Sequence, residues 1–205
     1  MTEWTKRVYD QNLKDVANTT SEWIDSKGKA RDVSLDGSTH AFNIVDYAHH
    51  EVHGGSSYVC IDSTDSLGGE TGDQLQLLFT TANIEKRAHL FYHAYASGAA
   101  YVTLMEAPLG GGASGGAASI FNRRRDSSKT SSAIASVTKD ASAATGGDLL
   151  VEHYIGDGKT DGGEVRGNNE WVLAPNTTYA LRIYDTTIGV SAWIELSWYE
   201  HQDRE

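Results

Sequence analysis

The sequence predicts an all-β fold: an antiparallel β-sandwich, jelly-roll-like, with an extended N-terminal arm. Short segments of alternating apolar and polar residues recur along the chain, turn residues separate them, and no convincing helical period of ten residues or more interrupts the series. Composition agrees, because 21 glycines and only 2 prolines suit tight turns and long loops between strands. We assign residues 1–38 to the arm and 39–205 to the sandwich.

The N-terminal arm is polar, and large apolar side chains are sparse in it. Trp4 and Trp23 stand out, because a tryptophan left in water forfeits the free energy of its burial. We therefore expect both side chains to dock, either on this domain or on a neighbouring molecule. The segment 26–37 is rich in turn-forming residues and predicts a connection into the sandwich.

Strand-like segments follow one another from Thr39 onward, because side chains at every second position share a face. The segments 87–96 and 100–105 are separated by Ser97-Gly98, and we predict that they pair as a hairpin. The last segment, 190–199, alternates most regularly, which predicts a central position in its sheet. The predicted strands are 41–47, 58–61, 74–81, 87–96, 100–105, 148–155, 171–174, 177–184 and 190–199.

Two glycine-rich loops interrupt this series, at 110–119 and 156–169. Strand-like segments continue on both sides of each loop, so neither marks a domain boundary. The second loop carries Asp157, Asp161 and Glu164, whose spacing does not meet that of an EF-hand. A calcium site of another kind in this loop stays an alternative.

Charge and composition narrow the classes of function. A formal net charge of −11 argues against a general nucleic-acid binder, which needs a basic face to neutralise phosphates. No stretch approaches the ~20 apolar residues of a membrane-spanning helix, and the N-terminus lacks the apolar core of a secretory signal. We therefore expect no membrane partner and no export by that route. Cys60 is the single cysteine, which rules out an intrachain disulfide. Its position in the apolar run 58–61 predicts a buried, small apolar side chain.

Histidines concentrate in one stretch, since four of the eight lie within residues 40–53. The run HHEVH at 49–53 is one residue short of the His-Glu-x-x-His pattern that places two zinc ligands on one helix face. No His-x-His pair of the cupin type occurs either. We therefore predict no metal and no cofactor, and we assign three side chains to packing or to a subunit contact: His49, His50 and His53.

An extended backbone would leave one metal arrangement open. In a strand, His49, Glu51 and His53 would project together, and His89 or His93 could supply a third imidazole. His89 and His93 themselves lie on the polar side of a predicted strand. That position predicts a sheet face that is wetted or covered by a loop.

The one dense basic run is formed by Arg123, Arg124 and Arg125, beside the first glycine-rich loop. Such a run contacts an acidic partner, forms salt bridges between subunits, or stays a solvated patch. The one Gly-x-Ser-x-Gly run, at 112–116, lies in a glycine-rich loop with no helical pattern after it, so it lacks the strand-to-helix turn of a nucleophile elbow. The same loop lacks the Lys-Ser/Thr ending of a phosphate-binding loop. We therefore predict that the protein is not an enzyme.

Three separated motifs carry a resemblance to a known family. They are DYAHHEVHGG at 46–55, GGEVRGNNEW at 162–171 and WYEH at 198–201, with Trp23-Ile24-Asp25 as a weaker fourth. In this order they resemble a family of small virion proteins of tailed bacteriophages, similar in pattern to jelly-roll capsid decoration (cement) proteins. The resemblance covers most of residues 20–201, and the insert at 110–119 does not match it.

The resemblance implies a role without catalytic residues. Decoration proteins of this type sit on the capsid surface of the virion, commonly as trimers, after synthesis in the host cytoplasm. For this chain, the resemblance implies a homotrimer that binds the major capsid protein. The side chains assigned to capsid or subunit contact are Trp4, Trp23, His49, His50, His53, Arg123, Arg124 and Arg125.

Two other functions stay open. A carbohydrate-binding or receptor-binding module of a phage tail would use the same sandwich, and it would need an exposed aromatic platform. Trp171, Trp193 and Tyr199 are the candidates for that platform. A jelly-roll metalloprotein that uses the HHEVH run is the third alternative.

Overall fold

A computed structural model describes residues 21–24, 30–33, 47–67, 74–109, 115–139, 144–156, 163–167, 169–185 and 189–202. The chain divides into two compact units, 1–46 and 47–205. In the first unit, strands β1 (Ser21–Ile24) and β2 (Ala30–Val33) pair as an antiparallel hairpin, with Trp23 opposite Arg31 in the register. The turn-rich prediction for 26–37 is wrong where it meets β2. Trp4 and the predicted boundary at 38/39 lie outside the described residues.

The second unit contains one short helix and twelve strands among its described residues. Six strands form sheet I in the order β10-β6-β13-β4-β9-β7, and six form sheet II in the order β11-β5-β14-β3-β8 with β12 also beside β5. Every pairing is antiparallel, which confirms the predicted antiparallel β-sandwich. The elements are α1 (Tyr47–Gly54), β3 (Ser57–Leu67), β4 (Gln74–Thr80), β5 (Lys86–Ala96), β6 (Ala100–Glu106), β7 (Gly116–Ala117), β8 (Phe121–Asn122), β9 (Val137–Lys139), β10 (Asp148–Ile155), β11 (Gly163–Arg166), β12 (Trp171–Val172), β13 (Thr178–Asp185) and β14 (Val190–Gln202).

The strand pairs are nested, and this nesting identifies the jelly roll. With β11 and β12 counted as one interrupted strand, eight main strands follow one another as β3, β4, β5, β6, β10, β11/β12, β13 and β14. The first pairs with the last, the second with the seventh, the third with the sixth and the fourth with the fifth. A long antiparallel hairpin that wraps into two sheets produces this order, so the jelly-roll prediction is confirmed.

The predicted hairpin around Ser97-Gly98 is wrong. β5 belongs to sheet II and β6 to sheet I, so this short connection crosses from one sheet to the other. Two segments of alternating apolar and polar residues joined by turn residues can form a hairpin or can cross between two sheets. The sequence pattern is the same in both cases, which explains the error. The crossing is tight, because a Cβ on Gly98 would lie 2.9 Å from the side chain of Val190 on β14.

The core lies between the two sheets, and β14 runs through the middle of sheet II. Its residues pair with β5 on one side and β3 on the other, which confirms the predicted central position. Leu196 and Trp198 on β14 face Leu104 and Leu181 of sheet I within one buried cluster. Fully burying a side chain such as leucine contributes about 1.5–3 kcal/mol, so this cluster dominates the stability of the sandwich.

The insertion between β6 and β10 covers one edge of both sheets. Its strand β9 pairs with β4, the last main strand of sheet I, and its strand β8 pairs with β3, the last main strand of sheet II. Lys139 on β9 also reaches Asp62 on β3, with 3.5 Å between Nζ and Oδ1. An uncovered strand edge invites pairing with other chains, and this insertion protects both edges. No helix in the described parts of the chain is long and apolar enough to cross a membrane.

Candidate functional site

The histidine run lies on a helix, which corrects the extended backbone assumed for the metal arrangement of His49, Glu51 and His53, and the predicted strand 41–47 at its last residue. Residues 41–46 lie outside the described parts of the chain, and Tyr47 begins α1. Gly55 ends the helix with a φ of 70°. Its N–H donates to Val52 O (3.1 Å), and the N–H of Ser56 donates to Glu51 O (2.9 Å). These are the two bonds of a Schellman motif, so the Gly-Gly pair is a helix stop.

His49 and His53 lie one helical turn apart and share a face of α1. Their Nε2 atoms are 3.0 Å apart, and both residues are exposed. His50 projects elsewhere, with its Nδ1 3.6 Å from Glu51 Oε1. Glu51 also lies 3.8 Å from Nδ1 of His201, so its carboxylate connects α1 to the end of β14. The three predicted histidines therefore divide into one close pair and one single imidazole.

The basic loop that follows β8 caps the C-terminus of α1. Arg124 Nη1 donates to His53 O (2.6 Å), and Lys129 Nζ donates to Gly54 O (2.8 Å). These carbonyls have no partner within the helix, and cations at a helix C-terminus also interact favourably with its dipole. Arg124 Nε donates to Asp126 Oδ1 as well (2.9 Å), which raises the pKa of Arg124 and lowers that of Asp126.

The other two predicted arginines stay on the surface. Arg125 lies over the ring of Phe121, with 5.4 Å from its guanidinium carbon to the ring centroid. Both Arg123 and Arg125 are exposed. The structure therefore brings Arg124 to His53, and it leaves the neighbouring guanidinium groups accessible to a partner.

A second surface lies on the outer side of sheet II. We call it the aromatic face and define it by His89, Phe91, His93, Tyr95, Trp193 and Tyr199. Outward-facing residues of β5 and β14 stand opposite each other: Tyr95 opposite Trp193, and His89 opposite Tyr199. The first pair is stacked at 6.3 Å between centroids and the second at 4.6 Å. Aromatic rings thus line the outer side of β5 without a break, whereas on β14 Glu195 and Ser197 separate Trp193 from Tyr199.

Two carboxylates pair with the imidazoles of this face. Glu170 Oε1 accepts hydrogen bonds from the Tyr199 hydroxyl (2.6 Å) and from His89 Nδ1. Glu164 lies 2.5 Å from His93 Nε2 and accepts a bond from Arg166 Nε at 2.5 Å. Arg166 first, and then His93, lower the pKa of Glu164. The prediction of a loop-covered sheet face is confirmed at His89, which is buried.

Sequence reasoning missed Glu170 as a partner in this surface, and it considered Glu164 only for calcium. The other calcium candidates, Asp157 and Asp161, lie outside the described residues. Both glutamates fall in or beside the motif at 162–171, which lies about 70 residues from His93 along the chain. The sequence marked this segment only as one of the motifs that carry the family resemblance. The residues that Glu164 and Glu170 contact became known from the pairing of β11 and β12 with β5.

A shallow open depression of about 390 Å³ adjoins the aromatic face. Its lining includes Phe91, His93, Arg166 and Gly167. A Cβ on Gly167 would lie 2.5 Å from the ring of Tyr92, so the backbone approaches that ring closely. Among the described residues, no three metal-ligating side chains come together. What the surface offers is aromatic stacking, two imidazole–carboxylate pairs and a guanidinium group.

The predicted aromatic platform is corrected at one position. Trp193 and Tyr199 belong to the aromatic face, but Trp171 packs against the core between the sheets. Its register partner Leu90 is inward-facing and fully buried, which explains the orientation. Cys60 is buried as predicted, and burial raises the pKa of its thiol to about 11, with a smaller contribution from Asp62.

The fold and these surfaces define a jelly-roll β-sandwich that presents a capped helix and a flat aromatic sheet face to its surroundings. A scan against protein-family models and searches of curated proteins and of solved structures found no match to the chain.

Proposed function

We propose that this protein is a structural protein of a tailed-bacteriophage virion, a capsid decoration (cement) protein that binds the major capsid protein as a homotrimer. The observation that carries the proposal is the aromatic face, a row of rings along β5 that Trp193 and Tyr199 of β14 join by stacking. The motifs at 46–55, 162–171 and 198–201 support it, because each contributes residues to this face or to the neighbouring helix.

The chemistry of the face suits a protein partner. Trp193 and Tyr95 present large stacked rings, and Trp193 packs against His93, which lines the adjoining depression together with Arg166. Tryptophan, tyrosine and arginine are the residue types enriched at the energetic centres of interfaces. Ile61 on β3, which is 52% exposed, adds an apolar side chain to this sheet, with Glu195 of β14 between it and His93. A flat sheet face matches another protein surface better than it encloses a small molecule.

Helix α1 extends the proposed contact surface. Glu51 joins the helix to His201 at the end of β14, and His201 lies 5.9 Å from the ring of His89. The exposed side chains of Arg123 and Arg125 add positive charge on the loop that caps this helix. We assign the capsid or subunit contacts to this combined surface, with Trp4 and Trp23 as further contacts from the arm.

The proposal is tested with purified protein and shells of the cognate major capsid protein that lack it. We expect light scattering to give a mass three times the 22.2 kDa of one chain, and the protein to cosediment with the shells. Trp193→Ala should weaken cosedimentation strongly. Tyr154→Ala is the matched control, because Tyr154 is an exposed aromatic residue on sheet I. Failure of the unaltered protein to bind shells would refute the decoration role, and equal binding by both variants would move the contact away from the aromatic face.

One observation favours a second candidate, a carbohydrate-binding or receptor-binding module of a phage tail. The stacked Tyr95–Trp193 pair stands close to the depression lined by His93 and Arg166, and aromatic rings beside polar groups also bind sugars. Titration with bacterial surface polysaccharides, followed by Trp fluorescence, separates the two functions. Saturable quenching that Trp193→Ala abolishes would favour the tail module over the capsid role.

A further inference from the structure

The closest approach of two imidazoles in the described residues is the pair His49 and His53 on α1. Their Nε2 atoms are 3.0 Å apart, and the ring centroids are 4.6 Å apart. At this distance one ring donates an N–H to the lone pair of the other, or the two lone pairs converge on a shared third atom.

The spacing suits two ligands of one metal ion. A metal–nitrogen bond of about 2.1 Å places two imidazole nitrogens about 3.0 Å apart at a right angle and about 3.4 Å apart at the tetrahedral angle. The observed 3.0 Å is the right-angle value, which belongs to the square-planar and octahedral sites of Cu²⁺ and Ni²⁺. We propose that His49 and His53 form a bidentate chelate for a divalent transition-metal ion, with water in the remaining coordination positions.

The helix holds this chelate in place. The Schellman motif at Gly55 ends α1, and the side chains of Arg124 and Lys129 fix its last carbonyls. Rigid positioning matters, because two donors held in register bind one ion far more tightly than one donor. Arg124 is cationic and lies at the same end of the helix, and Asp126 offsets its charge through their ion pair.

The same helix supplies an internal control. His50 is exposed, with 69% of its side chain accessible, and it projects toward Glu51 and away from the pair. Glu51 lies nearer to His50 and His201, so it is not a third ligand of the chelate. The proposal does not depend on the proposed function, because it uses α1 and its cap alone.

Titration of the full chain with NiCl2 in a non-chelating buffer at pH 7.5, followed by calorimetry, tests the proposal. We expect one ion per chain, and unchanged binding in His50→Ala. His49→Ala and His53→Ala should each weaken binding roughly 100-fold, because the second donor is lost.

A second readout separates loss of a ligand from loss of fold. Excess Ni²⁺ should raise the Tm of the unaltered protein and of His50→Ala, and should leave the Tm of the other two variants unchanged. Far-UV circular dichroism establishes that each variant folds. Absence of saturable binding, or equal affinity in His49→Ala and His50→Ala, would overturn the proposal, because the ion would then bind elsewhere or not at all.

Discussion

Glu200 on β14 accepts a hydrogen bond from the backbone N–H of Ala133, with 2.9 Å between the two atoms. The same buried carboxylate accepts bonds from the N–H of Ser132 (2.7 Å) and from the hydroxyls of Ser131 and Ser132 (2.6 Å each). One side chain of the last strand therefore secures the insertion that covers the β3 and β4 edges.

Replacement of this carboxylate should destabilise the fold. We expect Glu200→Ala to lower the free energy of unfolding by roughly 2–4 kcal/mol, because several bonds to a charged acceptor are lost and the donors stay buried. Urea denaturation measures the change. Glu152→Gln, at an exposed position of β10, is the control, and its free energy of unfolding should stay near that of the unaltered protein. An equally small effect of both variants would contradict the role given to Glu200.

The two adjacent glycines after the histidine run should respond differently to alanine. Gly55 has a φ of 70°, and a Cβ there would lie 2.7 Å from Ser127 Oγ, so Gly55→Ala should cost about 1–2 kcal/mol of stability or more. Gly54→Ala meets no such strain, since its nearest contact would be 3.7 Å away, and should leave stability equal or up to about 1 kcal/mol higher. Thermal unfolding of the two variants gives the comparison. Similar Tm values would argue against the helix stop at Gly55.

The cap on α1 should be visible in hydrogen exchange. Removal of the Arg124 guanidinium leaves His53 O without this donor, so Arg124→Ala should speed exchange of the amides of Gly55 and Ser56. Arg123→Ala is the matched control, because that neighbouring arginine is exposed. If both variants exchange at the same rate as the unaltered protein, the guanidinium does not stabilise the helix end.

The thiol of Cys60 should be unreactive in the folded protein. Burial raises its pKa to about 11, so at pH 8 it is a neutral thiol that no reagent can reach. We expect reaction with Ellman's reagent to be slow in buffer and immediate in urea at a concentration that unfolds the protein. Rapid reaction without denaturant would place Cys60 at the surface.

Tyr58 should make stability depend on alkaline pH. Burial and the charge of Glu200 raise the pKa of Tyr58 to about 12, above its ordinary value of about 10. Between these values the unfolded chain loses the phenol proton and the folded chain keeps it, so stability is complete below pH 10 and falls as the pH rises toward 12. Denaturant unfolding from pH 8 to 11 measures how steeply the free energy of unfolding falls with pH, and this fall should be less steep in Tyr58→Phe. If Tyr58→Phe shows the same fall, other groups cause the pH dependence.

The sequence by itself determined the sheet faces. Strict alternation in 190–199 placed Ile194 and Leu196 inward and Trp193 outward, because successive side chains of a strand point to opposite sides. The regularity of the same alternation predicted the central place of β14, and the apolar run at 58–61 predicted the burial of Cys60. These are local consequences of apolar patterning, and no knowledge of distant neighbours is needed for them.

Only the tertiary structure decided which strands meet and which ionisable groups pair. Ser97-Gly98 reads as a hairpin turn, yet β5 and β6 lie in different sheets. His93 meets Glu164, and Glu200 meets Ala133, across 71 and 67 residues of chain. The helix at His49 and His53 was also missed, because eight residues with a weak apolar pattern gain most of their stability from capping and packing. Contacts between distant segments set these features, and a local pattern does not encode them.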